Sequence, residues 1–233
     1  PMTAANRYYV TALPVLGELG SEAPFDRERM LQHVADLPDA HALVTVLFLE
    51  DDLLEREAFL AGEIKEVRPV VLTEAQVRNE SPLPDYLVSS LEHESAALTA
   101  DRLWEAYFGY ASGVAKEQGS EFLATWVRDE VGRRNALAAA RARRLGLREA
   151  DSLVAVELGE AAEEYQNLVA EWLAAANPLA GLQLLMADQW AWLGRHDRWF
   201  TFANDELAAY AARLMLLERW QRVTRESEGG RES

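Results

Sequence analysis

The sequence predicts an all-α protein, and three observations carry that expectation. Apolar residues recur at three- and four-residue spacing along nearly the whole chain, β-branched alternation is rare, and glycine or proline punctuates the periodic segments. At 233 residues, the chain is long enough to bury roughly 70 to 75% of the surface its unfolded form exposes. A core without staples is therefore expected, and the absence of cysteine leaves no disulfide to form one.

Taken in order, the first helix is expected to start at Asp26, whose carboxylate can accept from first-turn amides, with Phe25 and Met30 as a hydrophobic staple. It should end near Leu37-Pro38. Ala40–Glu50 contains Val44, Thr45 and Val46 and could pass for a buried strand. It continues at helical spacing through Asp51–Ala61 to a Gly62 stop, however, and reads as helix. Arg68–Pro84, with three prolines, reads as a connector holding at most one short helix after Thr73. From Thr99, residues Leu103, Trp104, Tyr107, Phe108, Ala111, Val114 and Ala115 make one apolar face up to Gly119. Ser120 can cap a helix running to Leu145 and a left-handed Gly146, about 38 Å long. Further helices are expected after Gly159, from Pro178, and after Asn204 as N-cap; the last carries Leu207, Tyr210, Leu214, Leu217 and Trp220 near one face. Thr224–Ser233 is expected to be a disordered polar tail, and Pro1 ahead of Met2 to be foreign to the natural chain.

Charge and missing motifs exclude several functions. The 23 Lys and Arg against 39 Asp and Glu leave a net charge of −16. That balance argues against nucleic acid as a main partner and against direct seating on anionic lipid. The longest uncharged stretch, Trp172–Ala187, is too short for a membrane span and is broken by Asn177-Pro178. With no secretory signal pattern, a cytoplasmic protein is expected. Neither a phosphate-binding Gly-x-x-x-x-Gly-Lys loop nor a Gly-x-Ser-x-Gly elbow occurs.

The candidate sites are few. Glu50, Asp51, Asp52 and Glu55 form one acidic cluster, and Glu157, Glu160, Glu163 and Glu164 another. Two such helix faces could hold magnesium against a nucleotide or isoprenoid diphosphate; the simpler reading is solvated helix surface. His33, His41, His93 and His196 lack metal-type spacing, and no cofactor is expected. Arg128, Arg133, Arg134, Arg141, Arg143, Arg144 and Arg148 make a basic stretch in an acidic chain, read as a docking surface for an acidic protein or as partners of the chain's own acidic helices. Trp104, Trp126 and Trp172 read as core, whereas Trp190, Trp192 and Trp199 are the best contact cluster if exposed. Aligning Asp51, Asp129 and Asp205 superposes three segments of the form aromatic, two residues, Asp, acidic, aliphatic, four residues, Ala. Chance can produce such a match in a chain rich in Ala, Leu and Glu. As structure, it implies three similar helical units, about residues 2–75, 76–150 and 151–223, in a single helical domain.

At three places the chain resembles a bacterial family of unknown function encoded with V-type ATPase subunits, itself similar to the C-type central-stalk component of V/A-type ATPases. Tyr8-Tyr9 leading to Leu13-Pro14 is similar to the family's start. Phe122-Leu123 through Asp129, Arg134-Asn135 and Arg141-Ala-Arg-Arg-Leu-Gly146 resembles its central helix, and Trp192, Phe202, Tyr210, Leu214 and Leu217-Glu-Arg-Trp220 its C-terminal segment. The resemblance implies a non-catalytic helical funnel of three similar units. Its partners would be rotor shaft and membrane ring subunits, which would hold it at the inner membrane without lipid insertion. Arg128, Arg133, Arg134, Arg141, Arg144, Trp190, Trp192 and Trp199 are the expected contact residues. The alternatives are a magnesium-dependent all-α diphosphate hydrolase and a freestanding helical scaffold.

Overall fold

The computed structural model describes residues 4–88, 100–196, 201 and 203–229. Among them every regular element is helical and no strand occurs. The chain forms two compact units, Pro1–Leu47 with Ala170–Ser233, and Phe48–Val169. These boundaries fall within helices. No described helix is long and apolar enough to cross a membrane.

In the first unit, α1 (Ala4–Thr11) precedes the expected first helix. In α2 (Arg27–His33), Asp26 is the N-cap, its Oδ1 accepting from the Arg29 amide at 2.8 Å. This helix stops at His33, short of Leu37, and a turn leads to Pro38 at the first position of α3 (Pro38–Leu60). Proline suits that position because the amide it lacks would have no helical partner there. Two more helices complete the unit, α9 (Pro178–His196) and α10 (Asn204–Gly229). The Asn177 carboxamide oxygen accepts from the Ala180 amide at 2.8 Å. Asn204 is the first helical residue of α10 rather than its cap.

The expected apolar face of α10 is wider than one stripe. Every residue from Leu207 to Ala212 and from Leu214 to Leu217 is buried, with four alanines letting neighbours approach. Helices α9, α2 and α1 pack on it. It also fastens the segment between α1 and α2. The Tyr210 hydroxyl donates to the Pro14 carbonyl at 2.9 Å, and Gln221 Nε2 to the Ser21 carbonyl at 3.0 Å. Buried Arg27 donates through Nε to Glu218 at 2.9 Å. Gly20 has φ +95°, and a Cβ there would lie 3.3 Å from the Trp220 indole nitrogen, so two demands select glycine. The expected tail is helical as far as Gly229, because nothing before Gly229-Gly230 breaks a run of good helix formers; residues 230–233 lie outside the described residues.

The second unit takes the rest of α3, then α4 (Glu74–Val77), α5 (Asp85–Val88), α6 (Ala100–Gln118) and α7 (Glu121–Leu145). Thr73 and Gln76 form a reciprocal capping box on α4. The buried residues of α6 are the seven of the expected face. Ser120 caps α7, accepting from the Leu123 amide at 3.0 Å. At its other end Gly146 has φ +68°, and the Leu147 and Gly146 amides bond back to the Ala142 and Arg143 carbonyls at 2.9 and 3.2 Å, a Schellman ending. Beyond it the chain does not enter α-helix at Gly159. Three short 3-10 turns, Glu149–Ser152, Val156–Leu158 and Ala162–Tyr165, strap α7 before α8 (Gln166–Leu173) begins.

Candidate functional site

Helix α3 is buried on all sides from Val46 to Leu53, and this sets the chemistry of its acidic cluster. Glu50, Asp51, Asp52 and Glu55 are all buried, not solvated as the simpler sequence reading expected. Carboxylates in such a place need donors, and the fold supplies them. Asp52 accepts from the backbone amides of Val70, Val71 and Leu72, at 2.7 to 3.1 Å. Glu55 accepts from the Arg68 amide at 2.8 Å. Glu50 accepts from Trp126 Nε1 at 2.9 Å and the Tyr107 hydroxyl at 3.4 Å. One turn on, buried Arg56 donates to the Gln76 and Val77 carbonyls and, at 2.7 Å, to Asn79 Oδ1. Burial pushes its guanidinium below the ordinary arginine pKa. The cluster thus holds the 68–79 connector against α3 by its own backbone. Glu157, Glu160, Glu163 and Glu164, by contrast, are exposed. Among the described residues no group of three or more His, Cys, Asp or Glu is arranged to hold a metal ion.

The arginine stretch divides in two. Arg133, expected among the contact residues, is buried and pairs with Asp129 and Glu130 of its own helix, the intramolecular pairing that was the other reading of this stretch. Arg134 lies 4.3 Å over the Trp104 ring and 3.5 Å from Glu57, which also accepts from Trp104 Nε1 at 3.1 Å. Burial lowers the Arg134 pKa against the opposing pull of Glu57 and Asp101. Both arginines serve the interior because their helix faces lie against other elements of this unit. Arg128, Arg141, Arg143, Arg144 and Arg148 are exposed.

Sequence reasoning missed how α7 is strapped. The Asn135 carboxamide makes two bonds with Val154, donating to its carbonyl at 2.8 Å and accepting from its amide at 2.9 Å. The Tyr165 hydroxyl reaches the Asp129 carbonyl at 3.1 Å and its Oδ1 at 3.0 Å. Burial first, then the Asp129 charge, pushes this phenol well above its ordinary range. A Cβ on Gly132 would lie 2.6 Å from the Tyr165 ring, so the ring fits because the residue is glycine. An isolated glycine inside an otherwise periodic helix was the available signal of a close approach.

Of the six described tryptophans, three are buried and three half-buried. Trp192 is buried and stacks on His196 with ring centres 3.9 Å apart, which removes it from the expected contact cluster. Trp190 is half-buried beneath the Arg213 guanidinium, at 4.8 Å. Trp199, Phe202 and His93 lie outside the described residues. Trp104 and Trp126 are core as expected, while Trp172 is half-buried against Gly181. His33 bonds to the Tyr9 carbonyl at 2.9 Å, and His41 lies 3.4 Å from the Thr45 hydroxyl. The three repeat-aligned aspartates have unlike settings. Asp51 is buried in the middle of α3, Asp129 is buried on α7 beneath Tyr165, and Asp205 is half-buried in the first turn of α10.

A cavity of about 210 Å³ in the first unit is lined by Leu13, Pro14, Pro24, Phe25, Arg29 and His33 among others, without a carboxylate, hydroxyl or thiol side chain. No protein-family model matches the chain, no curated protein matches it, and no solved structure matches its fold.

Proposed function

We propose that this chain is a non-catalytic coupling or assembly subunit of a V-type ion-translocating ATPase, linking rotor shaft to membrane ring at the cytoplasmic face. The observation that carries the non-catalytic part is the fate of the Glu50–Glu55 cluster. Asp52 is occupied by three backbone amides, Glu55 by a fourth and Glu50 by an indole N–H, so these carboxylates serve packing. The diphosphate-hydrolase reading needed them as magnesium ligands and loses its support there. The ATPase part rests on the resemblance at Tyr8–Pro14, Phe122–Gly146 and Trp192–Trp220. It does not lean on the threefold pattern, whose aspartates differ in setting.

Detergent extraction followed by pull-down on this chain tests the reading. Recovery of V-type shaft and ring subunits in constant ratio is the expected result. A chain that purifies alone from the cytosol overturns the assignment and leaves a freestanding helical scaffold.

A further inference from the structure

We infer that the C-terminal end of α7 is a docking surface for an acidic amphipathic helix of a partner protein. Residues 131–148 contain six arginines and no Asp or Glu, within a chain of net charge −16. Arg133 and Arg134 are spent on the interior; Arg141, Arg143, Arg144 and Arg148 point outward. Between them Leu145 is 71% exposed and Leu147 60% exposed. Cations in a last turn complement the helix dipole, which accounts for arginine there. It does not account for two leucines in water on either side of Gly146. In a Schellman ending the residue after glycine commonly folds back onto the last turn, and Leu147 does not bury itself that way.

Cationic and apolar groups side by side ask for a partner that carries acid beside apolar surface. Arg144 and Leu145 adjoin in the last turn and Leu147 and Arg148 follow just beyond it, so a helix carrying leucine beside glutamate meets both kinds of group at once. The ion pairs of Arg143 and Arg148 do not close the site. Arg143–Glu149 at 3.4 Å and Arg148–Asp151 at 3.8 Å join exposed groups, and such pairs are weak enough to exchange. An anionic bilayer offers complementary charge too, but it repels the rest of a chain this acidic. Apart from needing a protein partner, this surface is independent of the coupling-subunit reading.

The probe is a hydrocarbon-stapled helix with a leucine stripe and glutamate elsewhere, titrated by fluorescence anisotropy against the full chain. Its glutamine-substituted counterpart should bind at least about tenfold more weakly, as should the parent peptide to Arg144→Gln/Arg148→Gln or, separately, to Leu147→Ser. Binding should also fall in about 1 M salt, where charges are screened beyond roughly 3 Å. Circular dichroism of both variants should match the parent, since the altered side chains are exposed. Equal affinity for both peptides, no binding of the glutamate peptide, or unchanged binding by both variants overturns the inference. So does retention on phosphatidylserine vesicles that both variants abolish, which assigns the surface to lipid. No ATPase component enters this assay, so its failure and that of the pull-down are distinguishable.

Discussion

Replacing Asp52 by alanine tests whether the acidic cluster holds the second unit together. Three amides lose their acceptor, those of Val70, Val71 and Leu72. Leu72 is buried, and stranding its N–H costs about 2 kcal/mol; the half-buried amides of Val70 and Val71 can turn to water at about 0.5–1 kcal/mol each. The total, about 3–4 kcal/mol, is a large part of the roughly 5–15 kcal/mol by which a domain is stable. For a chain of this size it lowers Tm by roughly 10 °C. Urea unfolding followed by tryptophan fluorescence measures the global cost, and hydrogen exchange at Val71 and Leu72 the local one. Asp52→Asn keeps one acceptor but turns an amide group toward other donors, so it should fall between parent and alanine. A cost under about 1 kcal/mol with protection retained at both amides refutes the reasoning.

Three further perturbations address the strap and the buried phenols. Asn135→Ala removes both bonds to Val154 and should cost about 1–3 kcal/mol while speeding proteolysis within residues 149–165; unchanged cleavage contradicts it. Gly132→Ala drives a methyl into the Tyr165 ring and should cost about 1–3 kcal/mol, most of it disappearing in a Tyr165→Ala background; additive effects would rule out that contact. Burial raises the Tyr165 and Tyr210 phenols above their ordinary value of 10.0, so the unfolded chain releases these protons first. Their contribution is whole below about pH 10 and is lost as pH rises beyond it. Absorbance at 295 nm should show that Tyr165 and Tyr210 are among the tyrosines that ionise only on unfolding, and Tyr165→Phe should flatten the alkaline fall in stability.

The same physics marks what could be read from residues alone. Local signals were legible: Asp26, Thr73 and Ser120 as helix starts, Gly62, Gly119 and Gly146 as stops, and the α6 face residue by residue. Each depends on groups within about one turn of each other, where spacing fixes contact. The arginine stretch was visible as a run, but its division into interior and exterior members was not. That division depends on Trp104 and Glu57 meeting Arg134 from distant positions.

The sequence by itself determined an all-helical chain, the ends of α6 and α7 and an acidic charge balance, because helical period and capping are local and charge is a sum. Only the tertiary structure decided that the Glu50–Glu55 carboxylates are interior. A helix whose apolar residues form one stripe keeps its charges in water; α3 is enclosed on every side from Val46 to Leu53, and the 68–72 backbone bends over it to supply the amides. Tertiary structure likewise placed the opening residues against the last helix, where Tyr210 holds Pro14 and Glu218 holds Arg27. Pairings across nearly two hundred residues leave no periodic trace in a sequence. They follow from which surfaces the whole chain can bury together.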